Sequence, residues 1–296
     1  MSQRSKRINN TLKLLLKLAV AAAALVWVFS KIDPKNVWRI LQEADYLYLA
    51  VAFLLFVLSK VSSSLRLNVF FRNHHIFISE KENLKLYWLG MFYNIFLPGG
   101  VSGDAYKIYL LRKKLGKNLK ELFGAVFVDR LTGVVALVAL ALLLLSTTEN
   151  TIPYSRHAWI LVFFALGGFA LLYKMLFRRY LRIYLPVVGY SLLVQGLQAV
   201  EVFLILKGFG ISANLTSYIF VFLISSLIAI IPISVGGVGT RELAFMYGAQ
   251  YLMLSPEISV TVSLTFYLIT LIASLFGMIY SVKTPEITAR VDESIS

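Results

Sequence analysis

Cysteine is absent from this chain, which excludes disulfides, thiol nucleophiles and cysteine-bearing metal sites. Charge is scarce as well. Asp, Glu, Lys and Arg together make up 15% of the residues, against about 25% in soluble domains. Acid is the scarcer sign, with 15 acidic residues against 29 basic ones. Histidine is nearly missing, and His74, His75 and His157 do not form a metal-ligand set. There is no Walker lysine–serine pair, so ATP-driven transport within the chain is unsupported. Gly237-Val238-Gly239 is a fragment of a dinucleotide fingerprint without its strand or later acid. No serine–histidine–acid set is visible, and no enzyme or cofactor is expected. Polar stretches long enough to bury a core of their own are also lacking. A single domain spanning 1–296 follows, with approximate halves 1–146 and 157–296.

What the chain does have is apolar sequence, 58% of its 296 residues. Several runs approach or exceed the roughly 20 residues needed to cross a bilayer as helix. The expected class is an all-α polytopic membrane protein. The net charge of +14 sits beside apolar runs instead of forming a separate patch with interleaved aromatics, so nucleic acid is not an expected partner. The positive-inside rule and attraction of anionic headgroups both account for it.

Six spans are expected, at about Leu12–Phe29, Tyr46–Phe70, Leu119–Leu145, Ala158–Phe177, Ile183–Leu206 and Ile258–Val282. The first follows Arg4-Ser5-Lys6-Arg7 and is similar to a signal peptide's basic and apolar regions, but is read as retained. The basic residues place the N-terminus, and with it a tail carrying Lys283 and Arg290, on the cytoplasmic side of an inner membrane. The polar stretch Lys31–Asp45 reads as an external loop. Trp27, Trp38, Tyr46, Tyr48, Trp88, Trp159 and Tyr251 lie near span ends and read as an aromatic belt.

Two stretches break this pattern. The apolar run Leu86–Leu97 is too short to cross, breaks at Pro98-Gly99-Gly100 and resumes as a helix carrying Asp104 and Lys107. Basic residues flank it on both sides (Lys81 and Lys85, then Arg112, Lys113 and Lys114), so it is expected to enter and leave on one face as a re-entrant hairpin. Leu215–Ile231 likewise breaks at Pro232 through Gly239 and resumes as Arg241–Tyr251. Proline removes a donor and glycine accepts positive φ, so both tips are turn chemistry. Each half then reads span, span, hairpin, span, and an odd number of crossings inverts the second half. Paired broken helices in an inverted repeat mark a transporter binding site.

The candidate site residues cluster at these breaks. Asp104 and Lys107 share a helix face at a helix start, where free N–H groups favour an anion. Asp104 either caps those donors or pairs with Lys107. Asp129 and Arg130 are neighbours on a helix and therefore have separate partners. Arg130 is either a phosphate ligand or half of a buried ion pair. Arg241 follows Gly236, Gly237 and Gly239, where backbone donors and a cation converge, with Glu242 beside it. Glu201, with Gln195 and Gln198, reads as snorkelling toward the outer interface or as a proton-coupling carboxylate. Arg66 reads as snorkelling.

These residues resemble the flippase-like transmembrane family, the multispan part of bacterial lysylphosphatidylglycerol synthetases and their stand-alone relatives. The resemblance rests on Asn94, Pro98, Gly103 and Asp104, on Asp129-Arg130 with Gly133, and on Pro232, Gly236, Gly237, Gly239, Arg241 and Glu242. It covers nearly the whole chain. Lys107 stands where the family usually has arginine, which keeps the cation and loses the bidentate fork. The chain ends soon after the last span, so no synthase domain is expected. The resemblance implies a flippase or scramblase for an anionic phospholipid or phosphate-linked lipid. Arg130, Arg241 and Lys107 would hold the phosphate, and Asp104, Asp129 and Glu242 would orient them. Rival readings are a non-transporting membrane partner of a lipid- or glycan-synthesis enzyme, and a small-solute transporter. Homo-oligomerisation is compatible with each.

Overall fold

The computed structural model describes residues 19, 22–23, 25–31, 33–96, 101–148, 155–231, 238–282, 285 and 287. Most of the expected first span, and the tips Pro98–Gly100 and Pro232–Gly237, lie outside them. The described residues form an all-α fold. Its helices are α1 (Pro34–Gln42), α2 (Tyr46–Asn73), α3 (Glu80–Phe96), α4 (Ser102–Leu115), α5 (Leu119–Leu145), α6 (Ala158–Leu176), α7 (Tyr184–Gly208), α8 (Leu215–Ala229), α9 (Thr240–Tyr251) and α10 (Pro256–Val282). Among the described residues, 5 stretches are long and apolar enough to cross a membrane: those of α2, α5, α6, α7 and α10. At 1.5 Å per residue, α2 is about 42 Å long, against a hydrocarbon core of about 30 Å.

Local chemistry sets the helix ends. Asp33 caps α1 by accepting from the Lys35 N–H, with Pro34 in the first turn. This helix corrects the reading of 31–45 as a plain loop; its Asp-Pro start is a legible helix signal. Asp45 caps α2 in the same way through Leu47. A reciprocal Ser79–Glu82 pair starts α3 at Glu80, before its apolar run.

Packing follows from small residues, because lipid offers no hydrophobic drive for helix association. Helices α3 and α4 lie antiparallel and touch at Gly90 and Gly103: a Cβ at Gly103 would sit 1.8 Å from the Gly90 carbonyl oxygen. A Cβ at Gly277 of α10 would sit 2.2 Å from the Trp88 carbonyl oxygen. Trp88 is therefore buried against α10, edge-on to Phe276, and leaves the aromatic belt to which its position assigned it. Helices α8 and α9 form a second antiparallel pair, joined through Gly248 against Val221.

The long helices α2 and α7 pack along their lengths, also antiparallel. Arg66 meets Ser191 at one end, and Gly208 meets Tyr48 at the other. Two apolar clusters result. One gathers Phe56, Phe222, Phe245 and Phe266 from α2, α8, α9 and α10. The other gathers Phe70, Phe71, Leu122, Tyr173 and Tyr180.

Candidate functional site

A polar cavity of about 420 Å³ is lined by members of both clusters. Phe56, Leu137 and Phe266 come from the first; Leu67 and Val126 come from the second. Its charged lining is Lys60 and Arg66 from α2, Asp104 and Lys107 from α4, Asp129 and Arg130 from α5, and Arg241 from α9. Five cations thus face two carboxylates. Charged groups at bilayer depth cost several kcal/mol each unless they are paired or face a wet space. Their gathering around one cavity satisfies that requirement.

The carboxylates are fully engaged. Asp104 accepts from Lys107 Nζ at 2.9 Å through Oδ1 and from Arg130 Nε through Oδ2. The Lys107 ammonium also lies 4.5 Å from the Tyr87 ring centroid. Asp129 takes a two-pronged bond from Arg66, with Nε at 2.7 Å and Nη2 at 3.1 Å, while Arg66 Nη1 donates to Ser191 Oγ at 2.8 Å. The adjacent Asp129 and Arg130 therefore do have separate partners. The expected snorkelling of Arg66 is corrected. It is buried, because the Asp129 carboxylate across the helix interface offers a better partner than the membrane surface.

Asp104 does not cap its own helix. Asn94 of α3 does this instead, its Oδ1 accepting from the Gly103 N–H at 2.8 Å. Asn94 thereby ties the two sides of the break together and also lines the cavity. At the second break, Glu242 accepts from the Gly239 N–H at 2.6 Å and from Ser263 Oγ at 2.9 Å. That donor is therefore committed to the cap. Gly103, Gly239 and Glu242 support the site from behind the lining. Gly236 and Gly237 lie outside the described residues.

Arg241 is held differently. Its guanidinium stacks over the Phe266 ring at 4.8 Å, and its buried Nε has no hydrogen-bond partner among the described residues. Lys60, which sequence reasoning passed over, lies with its ammonium 4.4 Å from the Phe56 ring centroid. Neither makes an ion pair among the described residues. The signal that would have found Lys60 is simple: a lone lysine in mid-span is functional by default. Glu201 corrects a second expectation of snorkelling, since none of its surface is exposed. Gln195 and Gln198 line the cavity.

Electrostatically, the cavity wall carries more cations than carboxylates. Two carboxylate-centred clusters fix Lys107, Arg130 and Arg66, and two further cations have no carboxylate bonded to them among the described residues. Such an arrangement has the chemistry to accept a compact anion such as a phosphate. Among the described residues no cluster of three or more His, Asp or Glu is arranged to hold a metal ion. Comparison with curated proteins gives no match. Residues 14–277, which include the whole charged lining, match the family described as the lysylphosphatidylglycerol synthase TM region, and the chain belongs to that family.

Proposed function

We propose that this protein is an integral membrane lipid transporter, a flippase or scramblase for an anionic phospholipid or phosphate-linked lipid of an inner membrane. The observation that carries the reading is the excess of cations over carboxylates in the cavity, with Lys60 and Arg241 making no ion pair among the described residues. The volume suits a headgroup; small-ligand pockets run about 300–1,000 Å³. Ile230 lines the cavity and is 47% exposed, so an apolar surface leads from the cavity toward lipid. Acyl chains stay in the bilayer along that opening while the headgroup passes inside.

In this reading the two antiparallel pairs, α3–α4 and α8–α9, are re-entrant hairpins entering from opposite faces, related by an inverted repeat. Two features support it. Each pair is followed by a long span, and each packs its first helix on the long span of the other half, α3 on α10 and α8 on α5. Breaks of this kind are tolerated at membrane depth where protein or a wet cavity satisfies the backbone. The proposed activity is movement of lipid, with no aminoacyl transfer by this chain.

The test is reconstitution in vesicles holding trace fluorescent phosphatidylglycerol, phosphatidylethanolamine or phosphatidylcholine, followed by a membrane-impermeant quencher. Protein-dependent transfer of the anionic lipid between leaflets is the expected result. Transfer no faster than in protein-free vesicles, across all headgroups, would overturn the proposal.

A further inference from the structure

Glu201 has no place in the site so far described, yet its position is hard to explain as packing. It is completely buried in α7, and both carboxylate oxygens are without hydrogen-bond partners among the described residues. A buried polar group left unbonded is costly, and a buried lone carboxylate is costlier still. The antiparallel register of α2 and α7, set by Arg66–Ser191 at one end and Tyr48–Gly208 at the other, puts Glu201 level with Phe56. That is one helical turn from Lys60, whose ammonium bends back over the Phe56 ring. The charges acting on Glu201 are Lys60 from α2 and Arg241 from α9. Of the other segments packed on α7, α5, α8 and α10 contribute no charged group that acts on it among the described residues, and the arginines of Arg178–Ile183 lie beyond the opposite end of α7. The two cations without ion pairs at the cavity wall are therefore the two that Glu201 senses from behind that wall.

We infer that Glu201 is the proton-binding site of the transporter, taking up a proton when an anionic headgroup enters the cavity and releasing it when the headgroup leaves. The inference rests on the transport reading and supplies its coupling ion. In the empty cavity the Glu201 carboxylate offsets Lys60 and Arg241. An arriving phosphate competes for the same two cations, and two anions cannot share them in a buried space without strong repulsion. A proton from water on the side where the lipid enters settles on a Glu201 carboxylate oxygen, and both cations turn to the phosphate. One anion and one proton then travel together, so loading leaves the charge of the site unchanged and the transported pair carries no net charge. Linkage makes the effect reciprocal: the anion strengthens proton binding, and the proton strengthens anion binding by the same factor.

Three readouts on the full-length protein test this. In weakly buffered detergent, a pH indicator should report uptake of about one proton per bound dihexanoyl phosphatidylglycerol, and none with Glu201→Gln. Infrared difference spectra of lipid-free protein should show an acid carbonyl stretch appearing as pH is lowered, missing from Glu201→Gln. In vesicles, each unit of imposed pH difference should drive up to about tenfold asymmetry of fluorescent phosphatidylglycerol between leaflets, a response that Glu201→Gln loses. Uptake in the wild-type protein needs no variant, so a poorly folded substitution does not void the test. If lipid moves but neither proton uptake nor the acid band appears, or if Glu201→Gln retains both, the proton site is overturned. If the band is present but no lipid moves in any vesicle, the transport reading falls and the proton site survives it.

Discussion

The two helix breaks are alike in sequence and opposite in electrostatics. After the first, Asp104 pairs with Lys107 and with Arg130 of the next helix, and a flanking Arg66–Asp129 pair stands beside them. After the second, the acid is spent on the backbone: Glu242 caps Gly239 and bonds Ser263, and Arg241 is left to stack on Phe266. A break followed by one acid and one base thus yields a wall of ion pairs in one half and, in the other, a cation with no ion pair among the described residues. In the proposed transport the ligand's counter-charges are Arg241 and Lys60. Lys60 comes from α2 of the first half, whose ion pairs otherwise hold the cavity in shape.

This asymmetry can be broken from either side. The largest effect is expected at Asp129→Asn, which strands the buried Arg66 guanidinium. Removing one partner of a buried pair costs about 3–5 kcal/mol, so thermal unfolding in detergent should shift steeply downward. An unfolding temperature equal to wild type would show that the first half is not the rigid one. Next comes Arg241→Gln. Charge-assisted hydrogen bonds are worth about 1.5–3 kcal/mol, so lipid transfer should fall by about 10- to 100-fold with thermal stability almost unchanged. A variant as unstable as Asp129→Asn would erase the contrast. Glu242→Ala should then cost about 1–2 kcal/mol of stability through loss of the cap, measured by the same melts.

The smallest effect lies outside the spans, at His74. Burial, with the Arg179 guanidinium as a second cause, holds the His74 imidazole below its ordinary value, and its ring bonds the Tyr180 hydroxyl. The unfolded chain therefore binds this proton more readily than the folded one. The stability linked to His74 is complete above the unfolded value of about 6.5 and is lost as pH falls below it. Melts of the wild-type protein against His74→Gln between neutral and mildly acidic pH should converge toward the acid end.

Much of the fold was legible because membrane helices announce themselves by length. The spans at Tyr46, Leu119, Ala158 and Pro256 begin within two residues of their expected starts. The short α1 was missed because a charged stretch was read by composition, although Asp33-Pro34 carries a helix start. The site was legible in part. Asp104, Lys107, Asp129, Arg130 and Arg241 do come together, as their placement after breaks or within spans suggested. Lys60, Arg66 and Glu201 were set aside or passed over for one physical reason. Whether a long charged side chain reaches the interface or turns inward depends on what the neighbouring helix offers. Asp129 and Phe56 are those offers, and pairing between distant helices is not written in local sequence.

The central claim is that cations without carboxylate partners in the cavity move an anionic headgroup. The most direct measurement is the leaflet-transfer rate of fluorescent phosphatidylglycerol in vesicles holding wild-type protein or the Lys60→Gln/Arg241→Gln variant at matched, folded amounts. The account predicts fast transfer by the wild type and a rate near that of protein-free vesicles for the double variant. Equal rates for the two proteins would contradict it.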